Sequence, residues 1–276
     1  MGIAGKTKLR RTLLLAAVAA TVWSLGYGPL MPWSPFRAGF REVSGRRVTL
    51  VYPEGWAVPR ELREPDRLLE EAERFHRLRA GRAVTVTVLR DWGTAYRVLP
   101  RLARKGIGAI TLATGTAIYV LPTVEERGRD PVEFVRHELS HAVLHQNQGL
   151  LEAMRIVEVQ WLAEGIAVWF GRQKAYGSDE EFVQQAGRRD LRAYLDPALR
   201  ERLGEPFDIR FGYLCWKRFN LYLEGQDAGR YWGYVHATIA RPREWRELFA
   251  QRFGRSFESA VSAFAQQMEQ ESGALR

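Results

Sequence analysis

The first part of the chain alternates between short apolar segments and polar segments. Between residues 83 and 89, valines stand at every second position, which is typical of a half-buried strand. Residues 64–80 instead carry charged side chains at helical spacing. The pattern predicts strands at residues 46–52, 83–89, 106–112 and 116–121, and helices at residues 64–80 and 94–104.

After the last of these strands the pattern becomes helical. Pro122 ends the strand, and Asp130 followed by Pro131 is a good helix start. Strands gathered in one half and helices in the other favour an α+β fold over an alternating one. We therefore expect an N-terminal segment at residues 1–33 and one domain at residues 34–276. Its strand-rich part spans residues 34–128 and its helical part residues 129–276.

The composition is that of a globular protein able to bury a core. Of 276 residues, 46% are hydrophobic and 26% are charged, which excludes a disordered chain and a multi-span membrane protein. The single cysteine, Cys215, excludes an internal disulfide and any four-cysteine metal site. The net charge of +9 is spread along the chain, so we expect a solvated surface, or affinity for acidic envelope material, and no nucleic-acid partner.

The N-terminal segment has the pattern of a secretory signal or a signal anchor. Lys6, Lys8, Arg10 and Arg11 precede an uncharged stretch at residues 12–31. Its most apolar part is 16 residues long, shorter than the roughly 20 residues that span a bilayer, so cleaved signal and anchor both stay open. A buried N-terminal helix is a third interpretation. For the anchor, we expect a single pass in the cytoplasmic membrane with the following domain outside the cytoplasm, and for the cleaved signal, export to the periplasm.

Candidate chemistry lies in the helix that begins at Asp130. His137 and His141 stand four residues apart, so one helical turn places both imidazoles on the same face, where they can share one Zn²⁺. Glu138 lies beside this face and can approach the open position of the metal. The arrangement His-Glu-x-x-His is typical of zinc hydrolases.

A catalytic zinc site needs a third protein ligand. A further histidine of the metzincin pattern is excluded, because Leu144 and Asn147 occupy the required positions. His145 lies about 12 Å from His137 by helix rise, too far to bind the same ion. The remaining candidate is Glu164, a single carboxylate within an apolar helical run, which is costly there unless paired or metal-bound. An ion pair with an arginine is the alternative interpretation of Glu164.

These residues resemble the gluzincin metallopeptidases, especially the bacterial domains called peptidase MA-like. The similarity covers residues 82–172 well and the rest more loosely. It implies a zincin-like α+β fold, in which a small mixed sheet is followed by the metal-binding helix and a mainly helical half. It also implies zinc bound by His137, His141 and Glu164, with Glu138 as the catalytic base in peptide hydrolysis. Val168 stands where the thermolysin-like subgroup has an aspartate, so the partner of the zinc histidines stays unassigned.

The resemblance further implies a donor for the oxyanion that forms during hydrolysis. Tyr213 matches best and His236 is the second choice, although either side chain could simply pack in the core. The residues also suggest that the strand at 116–121 is the sheet edge on which an extended peptide or protein substrate pairs, and an ordinary sheet edge is the alternative interpretation. A non-catalytic zincin-like binding module of the cell envelope is the alternative function.

Overall fold

The computed structural model describes residues 3–34, 37–196, 199, 201 and 207–274, which form an α+β structure as expected. The strands are β1 (Phe40–Ser44), β2 (Val48–Pro53), β3 (Val84–Val88), β4 (Ala109–Thr111) and β5 (Ala117–Val120). The α-helices are α1 (Ile3–Gly26), α2 (Pro65–His76), α3 (Trp92–Val98), α4 (Thr123–Glu126), α5 (Pro131–Gln146), α6 (Leu150–Arg155), α7 (Gln160–Gly171), α8 (Asp179–Ala186), α9 (Leu191–Leu195), α10 (Ile209–Gln226), α11 (Ala228–Ala240), α12 (Trp245–Phe253) and α13 (Phe257–Ala274).

The five strands form one mixed sheet in the order β1-β2-β3-β5-β4. The three central strands are parallel, and each outer strand pairs with its neighbour in antiparallel fashion. Strand β1 was not predicted, because its pattern of exposed and half-buried residues lacks apolar alternation. The other four strands lie where the sequence predicts them, within a few residues.

Two layers of side chains cover the sheet. On one face, Leu50, Val86 and Ile118 pack with buried side chains of α2 and α5. On the other face, Tyr119 and Leu121 pack with buried side chains of α3 and with Met31. Helix α5 thus lies directly on the sheet, which fixes the predicted metal-binding helix against the strands β4 and β5.

The helical half brings α7 beside α5 and α10. A Cβ atom on Gly165 would lie 2.6 Å from the carbonyl oxygen of Trp216, so the close approach of α7 to α10 requires glycine here. Asn220 strengthens the contact, because its amide donates to the carbonyl oxygens of Trp161 and Trp216 over 3.0 and 2.8 Å. This packing fixes the adjacent Glu164 toward α5.

The N-terminal segment forms helix α1, whose apolar residues Leu13, Leu14 and Leu15 are more than 60% exposed. Among the helices of the described residues, none combines the length and the apolar character needed to cross a bilayer. This finding gives no support to the expected membrane anchor. Met31, near the end of the segment, is buried against the sheet.

Candidate active site

Helices α5 and α7 bring the three predicted metal ligands together. The Nε2 atoms of His137 and His141 lie 3.1 Å apart. The Glu164 carboxylate reaches them from α7, with Oε2 3.2 Å from Nε2 of His137 and Oε1 3.6 Å from Nε2 of His141. Among the described residues, this is the group of histidine, cysteine or acidic side chains arranged to hold a metal ion.

The three separations fit a tetrahedral zinc ion. Two ligand atoms at 2.0–2.1 Å from Zn²⁺ that enclose a tetrahedral angle are about 3.3 Å apart. The observed distances of 3.1, 3.2 and 3.6 Å bracket this value. Two imidazoles and one carboxylate are also the donor set of catalytic zinc sites. The residues therefore fit the metal that the sequence predicts.

The Glu164 carboxylate and the His141 imidazole each stabilise the charged form of the other. Burial alone raises the pKa of Glu164, but the neighbouring His141 and His137 lower it well below its usual range. Burial lowers the pKa of His141, whereas the carboxylates of Glu164 and Glu138 raise it, and the net shift is upward. In the part of the chain that the structure describes, Glu164 forms its ion pairs with these histidines, not with an arginine. The alternative interpretation, an ion pair between Glu164 and an arginine, is therefore not supported among these residues.

Glu138 lies beside the ligand group and is only 5% exposed. The hydroxyl of Thr111, on the edge strand β4, donates to Oε2 of Glu138 over 2.6 Å, with the Glu138 main-chain oxygen 3.0 Å away. A hydrogen bond to a carboxylate restricts the rotamer of the acid. Thr111 therefore positions Glu138, a role that sequence reasoning missed because the contact joins elements 27 residues apart.

For the peptide hydrolysis that the sequence predicts, replacing Thr111 with valine is expected to lower kcat about tenfold, because one hydrogen bond to a charged group is worth about 1.5 kcal/mol or more. Valine keeps the shape of threonine and loses only the hydroxyl. Thr111→Ser, which restores the hydroxyl, should recover most of the activity in the same peptidase assay. Thr114→Val changes an exposed hydroxyl of the same hairpin and serves as the matched control. An unchanged kcat in Thr111→Val would remove the positioning role.

Tyr213 faces the metal ligands, and its ring lies 6.4 Å from that of His137. It stacks on Tyr176 with ring centroids 4.4 Å apart. Burial, together with the nearby carboxylate of Glu164, raises the pKa of Tyr213 far above its ordinary value. The phenol is thus held protonated and able to donate a hydrogen bond. The same causes raise the pKa of Tyr176.

The remaining two histidines of interest lie in different surroundings. His236 on α11 forms a hydrogen bond with the main-chain oxygen of His76 and does not line the cavity described below. This placement favours Tyr213 as the donor. The Nδ1 atom of His145 lies 3.3 Å from the carbonyl oxygen of Leu112, and burial lowers the pKa of His145 to about 4. His145 is therefore neutral at neutral pH and borders the site without joining the ligands.

A cavity of about 820 Å³ contains the whole arrangement. One wall is the segment from Gly106 through β4, and the opposite wall comes from the helical half. Gln173 also lines the cavity, and neither polar atom of its buried amide has a hydrogen-bond partner among the described residues. Neither Gln173 nor Tyr176 could be singled out from the sequence, because both lie in the segment that follows the apolar helical run of Glu164.

The edge of the sheet beside the cavity is β4, and the prediction that residues 116–121 form this edge is wrong. Strand β5 lies between β3 and β4, because the chain enters β5 from β4 through a tight turn at Gly115 and the two strands pair. Both sides of β5 are therefore occupied by neighbouring strands. On the side of the sheet that borders the cavity, the free edge belongs to Ala109–Thr111.

Comparisons with known proteins return zinc metallopeptidases among solved structures. A crystal structure of an M1 zinc metallopeptidase from Deinococcus radiodurans shares 17% identity at a TM-score of 0.41, covering 84% of this chain and 51% of that one. A mutant of that enzyme shares 16% identity at a TM-score of 0.43, covering 82% of this chain and 50% of that one. A two-domain M1 zinc metallopeptidase mutant bound to L-arginine shares 15% identity at a TM-score of 0.42, covering 83% of this chain and 51% of that one.

The chain thus spans about half the length of the solved structures that it matches. No model of a known protein family matches the sequence, and no curated protein is significantly similar to it. At these identities and TM-scores, the similarity does not assign the chain to a family.

Proposed function

We propose that this protein is a zinc-dependent peptidase. The observation that carries the proposal is the convergence of His137, His141 and Glu164 within 3.1–3.6 Å, beside a buried Glu138 in one cavity. A Zn²⁺ ion held by these three side chains would polarise a peptide carbonyl and activate a water molecule. A binding module needs no acid in the place of Glu138, so the presence of this carboxylate supports catalysis.

The protein side chains supply the proton transfers. Glu138 is placed to take a proton from the attacking water and to return it to the leaving amine. The protonated hydroxyl of Tyr213 can donate to the oxygen of the scissile carbonyl as negative charge develops there. Thr111 keeps the Glu138 carboxylate directed at the cavity.

The edge strand β4 is suited to hold the substrate in an extended form. Hydrogen bonds from Leu121 to Gly108 and from Leu112 to Ala117 set the register of β4 against β5. Because antiparallel pairs alternate, Ala109 directs its N–H and C=O to the free edge, where an extended peptide can pair. Main-chain pairing of this kind explains how a peptide could bind with little sequence preference.

Replacing Ala109 with proline is expected to raise KM about fivefold with little change in kcat, because it removes one N–H donor from the free edge. Steady-state kinetics with a peptide substrate measures both constants. Ile110→Pro is the matched variant, because Ile110 directs its N–H toward β5 and its loss should lower the melting temperature instead. An unchanged KM in Ala109→Pro would exclude pairing at this strand.

The proposed function is tested by incubating the zinc-loaded protein with a complex peptide mixture and identifying products by mass spectrometry. We expect new peptide termini that disappear after zinc chelation and return when zinc is restored. Stoichiometric zinc binding without any cleavage would contradict the peptidase and would favour the non-catalytic binding module.

We also propose that the N-terminal segment directs the catalytic part out of the cytoplasm. The support is the basic stretch ending at Arg11, the uncharged residues 12–31 and the exposed apolar side chains of α1. Fusing residues 1–33 to a reporter that is active only outside the cytoplasm should give activity. A reporter that stays inactive would contradict export.

A further inference from the structure

The cavity carries an uneven distribution of charge. Its lining contains three arginines, Arg127, Arg129 and Arg210. The acidic residues that the structure places in the same lining are Glu138 and Glu164, which the proposed mechanism already uses. No side chain of the described lining is therefore left to neutralise the arginines.

The three arginines, here called the arginine cluster, lack ion pairs with any residue that the structure describes. By contrast, Arg136 on α5 is paired with Glu71 at 2.6 Å. Burial lowers the pKa of Arg129, and the charges of Arg127 and Arg210 lower it further. Binding of an anion offsets the repulsion among these like charges.

The arginine cluster is adjacent to the metal ligands. Tyr176 stacks on Tyr213, and both tyrosines line the same cavity as the arginine cluster and the three predicted ligands. Gln173 lines the same cavity with an amide that is 96% buried and unpartnered among the described residues. A buried amide without partners is costly, so a bound ligand is expected to supply them.

We infer that the arginine cluster binds a carboxylate of the peptide substrate, close to the scissile bond, while the Gln173 amide pairs with the peptide main chain. This inference rests on the proposed peptidase function and specifies its substrate class, which is peptides that carry a carboxylate close to the scissile bond. The carboxylate is either an Asp or Glu side chain or the free C-terminus of the peptide.

The same charge distribution disfavours a free N-terminal amine in the cavity. An ammonium group needs a carboxylate partner, and the described lining offers only Glu138 and Glu164. Both acids would be engaged by the metal and by the proton transfers. Cleavage within a chain, or near its C-terminus, follows from this distribution more readily than removal of an N-terminal residue.

The test uses matched quenched-fluorescent peptides that differ at one position near the cleaved bond. Glu, Gln and Lys are placed in turn at each of the four positions on either side, and each peptide is made with a free or an amidated C-terminus. At one position we expect kcat/KM for the Glu peptide to be at least tenfold higher than for the Gln peptide. It should be about 100-fold higher than for the Lys peptide. If the C-terminus is the anion, amidation will instead lower kcat/KM at least tenfold.

Charge-neutralising variants assign the preference to the arginine cluster. Arg129→Gln and Arg127→Gln should each reduce the ratio of kcat/KM for the Glu peptide to kcat/KM for the Gln peptide at least threefold. Arg188→Gln changes an exposed arginine outside the cavity and should leave the ratio unchanged. Gln173→Met should weaken the cleavage of both peptides alike, because main-chain pairing does not depend on the side chain.

A binding measurement separates this inference from the peptidase proposal. The zinc-loaded Glu138→Gln protein is titrated with the Glu and Gln peptides, labelled for fluorescence anisotropy. Tighter binding of the Glu peptide, weakened by salt and by Arg129→Gln, supports the arginine cluster even if no peptide is cleaved. Cleavage without any preference for Glu or a free C-terminus, or equal binding of all peptides, would overturn it.

Discussion

Replacing Glu138 with glutamine is expected to lower kcat/KM for peptide cleavage about 10³-fold or more, while zinc stays bound at wild-type stoichiometry. Glutamine keeps the size of glutamate and can still accept the hydrogen bond from Thr111. It cannot take up a proton, and general acid–base catalysis of this kind contributes about 10²–10⁴-fold. Glu138 is not one of the converging ligands, so the metal affinity should change little.

The matched control is Glu133→Gln, which removes an acid one helical turn before His137. Glu133 accepts a hydrogen bond from the main chain of Lys174 at the outer end of the helix. Glutamine can keep this bond, so kcat/KM should stay within about twofold. Activity is measured with a quenched-fluorescent peptide, and zinc is measured by metal analysis of the same samples. A Glu138→Gln protein that retains more than a tenth of wild-type activity would exclude Glu138 as the base.

The helix that carries His137 and His141 could be predicted from the sequence because its signals are local. Asp130 accepts a hydrogen bond from the N–H of Val132 over 2.8 Å, and Pro131 follows as the first helical residue, as the pattern indicates. On a helix, the four-residue spacing of His137 and His141 then places both side chains on one face. Glu164 is found by a less local argument, since a lone carboxylate in an apolar run requires a partner.

The parts that could not be predicted depend on contacts between distant segments. Strand β1 is held by its pairing with β2 and by the turn at Gly45, beside which Asp66 accepts main-chain hydrogen bonds from Arg46 and Arg47. Its own residues carry no strand signal. The order of β4 and β5 in the sheet likewise follows from pairing, which a pattern along one strand does not reveal.

The side chains around the candidate metal site were also not predictable from the sequence. Thr111, Tyr176 and Gln173 come from an edge strand and from the segment after α7, and only the packing of α5 between the sheet and α7 brings them to one cavity. Residue types such as threonine and glutamine are common on surfaces. Their spacing in the sequence therefore gives no reason to choose them.

Replacing Glu164 with alanine is expected to weaken zinc binding by more than about 100-fold, since even an outer partner of a metal ligand contributes 10–100-fold. The variant loses one of three ligands that lie 3.1–3.6 Å apart, and alanine offers no donor atom. The measurement is a competition titration with a zinc chelator of known affinity. His141→Ala should give a loss of similar size, because it removes a ligand from the same group.

Thermal unfolding gives an independent test of the third ligand. Zinc at 100 times its Kd stabilises a folded protein by about 2.7 kcal/mol, so added zinc should raise the melting temperature of the wild type by several degrees. The same addition should leave Glu164→Ala unchanged. The metal-free variant should still fold, because alanine fits the apolar surroundings of α7 and removes a charge that is costly to bury.

Glu133→Ala controls for loss of a nearby acid and should respond to zinc as the wild type does. Wild-type zinc affinity and a full thermal shift in Glu164→Ala would exclude Glu164 as a ligand and, with it, the site proposed for catalysis.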